Sequence, residues 1–259
     1  MIGISGGYNP YGSLFFSLRK RFLNGTQNLK LVFLLRIPSF RVLVEEGMNM
    51  SKEVEIFKGT TTVGVVCRDG VILGTGTRAT AGNYVASKHA KKVYQITDRL
   101  AMTIAGGVAV AQRVVEILKV NARLYELEKG RPMPIKAAAT LVSGILFQNR
   151  EAGMPLPMQA IVGGFDETGP HIFNLDPYGS LIEDKMISTG SGSPFAYGVL
   201  EAMFKEEKAV KEMLPIVVKA LDSAMKRDTY SGDSFDVAII DKKGFRELTS
   251  SEKETLLKS

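Results

Sequence analysis

The chain has 259 residues, 45% hydrophobic and 23% charged, a globular mixture with ample material for a core. Cys67 is the only cysteine, which excludes an intramolecular disulfide and a Cys-based zinc site, and two histidines, His89 and His171, argue against a His-rich metal site. The formal charge of +6 is uneven: residues 1–59 hold eight Lys/Arg against four Glu, and the rest shows no basic cluster interleaved with stacking aromatics, so no nucleic-acid footprint.

In chain order, residues 1–44 carry no acid and mix basic, Ser and apolar residues. Three readings stay open: a targeting peptide of the transit type, a long pro-segment, or a start placed ahead of a true one at Met48 or Met50. A secretory signal fits poorly, because the apolar run Leu31–Leu35 is short, lies far in and ends at Arg36. No stretch is long enough to span a bilayer. On each reading the fold begins near Thr60.

Thr61–Cys67 is β-branched and mostly apolar, which predicts a strand. Arg68-Asp69-Gly70 turns it into a second strand over Val71–Thr77. Two shorter strands fit Lys92–Thr97 and Ala101–Ala105, around Asp98-Arg99. Val110, Val114, Ile117, Leu118, Leu124 and Tyr125 recur at three- and four-residue steps, predicting a helix over Val108–Leu127 that Gly130 and Pro132 stop. A second helix over Ile135–Gln148 gathers Ile135, Ala138, Leu141, Val142 and Ile145 on one face. Gln159–Phe165 and His171–Leu175 read as strands, and Pro177-Tyr178-Gly179 turns into a strand over Ser180–Ser188. Pro194–Phe204 and Val210–Arg227 read as helices and Phe235–Ile240 as a late strand. Strands and helices in segregated groups predict an α+β fold of stacked layers: two sheets face to face, with a helix pair on each outer side.

The residue types leave hydroxyls, carboxylates and lysines for chemistry. "KGTTTVG" at 58–64 draws attention because threonine is a weak nucleophile without a base. An N-terminal Thr carries its own, an α-amine of pKa about 7.7–8.0 beside its hydroxyl. Cleavage must first expose it, and Gly59 puts no side chain in the way of attack on its carbonyl and tolerates strained backbone. By itself "GTTT" reads as an ordinary turn into a strand. Likewise, Lys92 reads as a solvated strand-end lysine, "KRD" followed by "SG" as a helix C-cap, and Gly106 as a turn glycine.

Over Thr60–Lys258 the chain resembles proteasome β subunits of the archaeal type. The matching stretches are "GTTTVG" at 59–64, "TRATAGN" at 77–83, "KHAKKVYQI" at 88–96, "TIAG" at 103–106, "STGSGSPFAYGVLE" at 188–201 and "KRDTYSGD" at 226–233. Six in this order are highly specific. The resemblance implies the N-terminal nucleophile hydrolase fold, a four-layer αββα sandwich, with residues 1–59 removed and 60–259 as the working domain.

Carried over by motif, Thr60 is the nucleophile, freed by autocatalytic cleavage of Gly59–Thr60, and Lys92 is the lysine beside its hydroxyl. The resemblance likewise implies that Asp228, Ser231 and Ser191 are the group that hydrogen-bonds the Thr60 amine and hydroxyl, and that the Gly106 N–H is the oxyanion donor, a fixed dipole of the kind that supplies roughly 3–4 kcal/mol in a transition state. Thr80 and Val108 offer main-chain partners to an extended peptide that binds as an added strand. Ala79, Ile104 and Val108 suggest an apolar pocket for the residue before the cut. No metal and no organic cofactor are implied. Implied partners are α subunits and other β subunits in seven-membered rings, unfolded polypeptide substrates, and a regulatory ATPase acting through the α ring. Nucleic acid and membrane are not among them, and the implied location is cytoplasmic.

The match breaks at "GTGTRAT". Gly76 stands where the family places an acid that pairs with the lysine, and Val110 replaces a usual acid after the "AG" turn. A buried ammonium without a counter-ion tends to lose its proton or swing away. Two hypotheses compete: a working threonine endopeptidase in which another carboxylate or a water supports Lys92, and a structural ring subunit beside an active paralogue. Two further alternatives carry less weight: a bacterial two-ring peptidase, which shares the N-terminal threonine, and, by fold alone, a small-amide N-terminal hydrolase.

Overall fold

The structure, a computed structural model, describes residues 59–258. Ahead of them it gives only the backbone of two antiparallel hairpins, β1 (Ile4–Tyr8) with β2 (Leu14–Leu18) and β3 (Leu31–Phe33) with β4 (Val44–Glu46). The rest of the leader expected over 1–59 lies outside the described residues. The chain divides into two units, Met1–Glu53 and Val54–Ser259.

In the second unit, β5 (Thr61–Cys67) and β6 (Gly70–Gly76) form a hairpin closed by Arg68-Asp69. Both are buried at every position. Layers cover both of their faces, so their sequences run apolar or small instead of alternating. A short hairpin that the sequence reading passes over follows, β7 (Ala79–Ala81) and β8 (Tyr84–Ser87), turned by Gly82 at φ 56°. Its residues are half-buried or exposed, so no apolar period marks it.

Next come β9 (Val93–Thr97), β10 (Leu100–Gly106), α1 (Val108–Lys129), α2 (Ile135–Glu151), β11 (Met158–Asp166) and β12 (Gly169–Leu175). The strand expected over Ser180–Ser188 is two strands. β13 (Leu181–Asp184) pairs with β12 and β14 (Met186–Gly190) pairs with β5, so the chain changes sheets at Lys185. Then follow α3 (Ser193–Met203), α4 (Val210–Arg227) and β15 (Phe235–Asp241). β16 (Gly244–Glu247) and α5 (Ser250–Lys258) come last, and the sequence reading includes neither.

The strands make two five-stranded antiparallel sheets, ordered β13-β12-β11-β10-β9 and β14-β5-β6-β15-β16. α1 and α2 cover the first, with Val114, Leu118, Ala138 and Val142 packed on Met102, Ile104, Val162 and Phe173. α3 and α4 cover the second, with Leu200, Val217 and Leu221 packed on Val63, Val65 and Val237. Between the sheets lie Val66, Val71, Leu73, Ala101, Ile161, Ile172 and Ile240. Each buried Val, Leu, Ile, Met or Phe among them contributes about 1.5–3 kcal/mol by leaving water. This is the four-layer αββα arrangement that the sequence predicts.

The helix faces differ in detail from the periodic reading. α1 buries Ala111, Val115 and Ala122 with Val114 and Leu118, while Leu124 is half exposed and Val110, Ile117 and Tyr125 sit at the margin. Small alanines on the buried side let α1 lie close to the sheet. In α2 the buried line is Ile135, Ala138, Ala139, Val142 and Leu146, with Leu141 and Ile145 half-buried beside it. Among the described residues no helix is long and apolar enough to cross a membrane.

Candidate active site

Thr60 stands just ahead of β5 and is 1% exposed. Gly190, the last residue of β14, packs against its carbonyl. A Cβ at Gly190 would overlap that oxygen, and its φ of 87° independently favours glycine. The strand then alternates. Thr61 turns toward α4 and shares a 2.6 Å hydrogen bond with Ser231 Oγ, while Thr62 turns the other way and bonds Thr189 Oγ1 at 2.6 Å.

Lys92 arrives from the opposite sheet, one residue ahead of β9. Its carbonyl accepts from Ile104 N at 3.1 Å. Thr77 ties down the approach, donating from Oγ1 to Lys88 O at 2.7 Å, while its carbonyl accepts from Ala90 N at 2.9 Å. The Lys92 ammonium donates to Thr60 Oγ1, to Arg78 O and, at 3.4 Å, to Gly59 O. Its three donors thus meet three uncharged oxygens. Among the described residues no carboxylate lies within ion-pair distance of it. Burial pushes its pKa down to about 8, and the more distant Asp228 charge pulls the other way.

Gly76 has nothing within 4 Å of the place a Cβ would occupy. The position where the sequence resemblance expects an acid is therefore open space.

Asp228 caps the C-terminus of α4. Its Oδ2 accepts from Ser191 Oγ and from Ser231 Oγ, both at 2.6 Å. With the Ser231 proton given to Asp228, the Thr61 hydroxyl donates to Ser231. The result is a chain from Thr61 through Ser231 and Asp228 to Ser191. Among the described residues none of these groups bonds Thr60 itself, whose nitrogen is a peptide amide in the continuous chain. Gly192 makes room for the chain: a Cβ there would run into Thr61 Oγ1 and lie 3.1 Å from Asp228 Oδ2.

Gly106 ends β10 at φ 116°, where a Cβ would also overlap Pro157 O, so glycine is required twice over. Ala105 beside it lies 3.4 Å from the Cβ position of Gly190, which brings the end of β10 alongside Thr60. Of the expected peptide-binding positions, Thr80 lies against the Gly59–Thr60 junction, its Oγ1 3.1 Å from the Cβ position of Gly59. Ala79 is half-buried, Val108 is 49% exposed at the start of α1, and Ile104 is interior, packed under α1 and α2.

Sequence reasoning missed Thr61, Thr77, Arg78, Asp233, Gly190 and Gly192. Strand alternation after Thr60 was a usable signal for Thr61. Arg78 and Asp233 meet across 155 positions, and no local pattern announces that pairing. A cavity of about 310 Å³ at the N-terminal end of α2, lined by Arg99, Arg131, Asp166 and His171 among others, contains none of the candidate residues.

A sandwich of this topology, with a threonine at the head of a central strand and a buried lysine on its hydroxyl, is the architecture of N-terminal nucleophile hydrolases. The family model for proteasome subunits matches residues 56–240. The β subunit of the proteasome from Ferroglobus placidus is 48% identical over 204 residues, 78% of this chain and 96% of that protein. Those from Methanosarcina mazei and Methanocaldococcus vulcanius are each 50% identical, over 75% and 79% of this chain and 92% of their own lengths. The chain belongs to the proteasome subunit family, as a core subunit of the β type, and so assembles with other subunits.

Proposed function

We propose that this subunit is a threonine endopeptidase that frees its own nucleophile by cutting Gly59–Thr60. The observation that carries the reading is Lys92: one buried nitrogen reaches the Thr60 hydroxyl, the attacking group, and also the Gly59 carbonyl oxygen of the bond to be cut. In the first step Thr60 Oγ attacks the Gly59 carbonyl carbon. The C–N bond breaks, the hydroxyl proton ends on the Thr60 nitrogen, and an ester joins Gly59 to Thr60. Water then hydrolyses the ester, releasing residues 1–59 with a Gly59 carboxylate and leaving a free amine on Thr60. That amine next takes the hydroxyl proton when a substrate peptide is attacked, with Lys92 hydrogen-bonded to the same oxygen to lower its pKa. Gly106 supplies an N–H to the oxyanion, and Asp228 with Ser191 and Ser231 orients the new amine.

On this reading substrates are unfolded polypeptides entering a chamber of seven-membered β rings capped by α rings, in the cytoplasm, with a regulatory ATPase acting through the α ring. Thr80 and Val108 flank the bound strand.

The open space at Gly76 favours a second reading, a structural ring subunit beside an active paralogue. One experiment decides. The chain is assembled with α subunits, its intact mass is taken, and the particle is treated with a peptide epoxyketone, which needs both the amine and the hydroxyl of a terminal Thr. A chain beginning at Thr60 and carrying the adduct is expected. An unprocessed, unmodified chain leaves the structural reading.

A further inference from the structure

Arg78 touches both halves of the site with different parts of itself. Its carbonyl accepts from Lys92 Nζ. Its guanidinium donates from Nε to Asp233 Oδ2 at 2.7 Å and from Nη1 to Thr229 O at 2.9 Å. Thr229 directly follows Asp228, and Ser231 lies between Thr229 and Asp233. The loop is shaped to receive this arginine. Asp233 takes φ 63°, a left-handed conformation uncommon for a residue with a side chain, though Asp tolerates it better than most. Gly232 lies under the guanidinium, where a Cβ would overlap it. Lys88 Nζ adds a second cation 3.8 Å from Asp233.

We propose that Arg78, clamped by Asp233, is the positioning residue that holds Lys92 and the Asp228–Ser231 pair in one frame. The inference rests on the peptidase reading above. Its physical basis is the missing counter-ion. A lysine side chain has much rotamer freedom to lose, and Lys92 has only uncharged oxygens to aim at. The Arg78 carbonyl is fixed only as well as the residue that bears it. The guanidinium fork, with two donors at a set angle, fixes that residue to the loop carrying Asp228. Displacements of about 1 Å at such a site cost roughly 100-fold in rate.

The test compares wild type, Arg78→Ala, Arg78→Lys and Asp233→Asn in particles assembled with the partner subunits. Active sites are titrated by epoxyketone, and kcat and KM are measured on a fluorogenic peptide. Arg78→Ala is expected to lower kcat per titrated site about 10- to 100-fold with KM within about twofold. Arg78→Lys, which keeps the charge without the fork, should recover part of it. Asp233→Asn, which retains left-handed tolerance, should lose about 3- to 10-fold. A clamp that serves only folding would lower particle yield or Tm and leave kcat per site unchanged, which overturns the proposal. Should Arg78→Ala fail to assemble, Asp233→Asn decides, and a kcat within about twofold of wild type overturns it. An inert wild type defeats the peptidase reading and this inference with it. An active wild type matched by its variants defeats this inference alone.

Discussion

Lys92 is a buried cation held by three uncharged oxygens, and this fixes how the site responds to pH. Its folded pKa, about 8, lies below the ordinary 10.5, so the folded state holds the proton less tightly than the unfolded chain. Below pH 8 the lysine therefore costs the fold about 3 kcal/mol, and the cost is relieved as pH rises from 8 toward 10.5. Before cleavage Thr60 has no free amine, so self-processing reports on Lys92 without interference from a second base. Processing followed by mass spectrometry is expected to accelerate as pH rises through about 8 and then level off. Lys92→Met should abolish it without weakening the fold, because the buried charge goes with the side chain. A profile flat from pH 6 to pH 9 would contradict the assignment.

Gly76→Asp extends the same argument, since the space there is empty. A carboxylate near Lys92 stabilises the ammonium, so the midpoint of the processing profile should move well above 8. An unmoved midpoint in a folded variant would mean that position 76 does not reach the lysine.

At the scale of elements, the candidate residues sit at ends and connections. Thr60 precedes β5, Lys92 precedes β9, Gly106 ends β10, Gly190 ends β14 and Asp228 caps α4. The buried strands β5 and β6 are legible in the sequence because two covered faces leave apolar, β-branched runs, and α4 is legible to the residue because its apolar stripe is strong. The crossing at Lys185 is not. Leu181–Asp184 and Met186–Gly190 are both strand-like, no Gly or Pro separates them, and only the tertiary partners differ. The end of the chain does carry readable signals. Asp241-Lys242-Lys243-Gly244 is a turn signal, with Gly244 at φ 115°. Thr249 and Glu252 also have capping-box spacing, Thr249 Oγ1 accepting from Glu252 N at 3.3 Å and Glu252 Oε2 from Thr249 N at 2.8 Å. Thr249→Ala should therefore cost about 1 kcal/mol, a fall in Tm of about 2–4 °C in a domain this size, with peptidase activity unchanged. A Tm equal to wild type would show that α5 is held by packing and not by its cap.

At the scale of the molecule, the candidate site straddles two sheets, so it depends on how closely they pack. Two glycines set that spacing. A Cβ at Gly64 on β5 would lie 2.9 Å from Ile161 Cγ2 on the facing β11, and one at Gly163 on β11 would lie 3.1–3.2 Å from Ile172, Leu73 and Val71. A branched side chain at Gly64 has nowhere to go except between the layers. Overpacking of this kind costs about 1–3 kcal/mol. Its effect on Thr60 and Lys92 should exceed that cost, because a wedge moves the sheet bearing one against the sheet bearing the other. Leu118→Ala is the control: it opens a cavity under α1, costs about 2–5 kcal/mol and leaves the seam between the sheets alone. Gly64→Val is expected to slow processing of Gly59–Thr60 at least about tenfold in folded protein, while Leu118→Ala lowers Tm as much or more and processes at close to the wild-type rate. If both variants slow processing in proportion to their loss of stability, sheet spacing is not what aligns the lysine with the threonine.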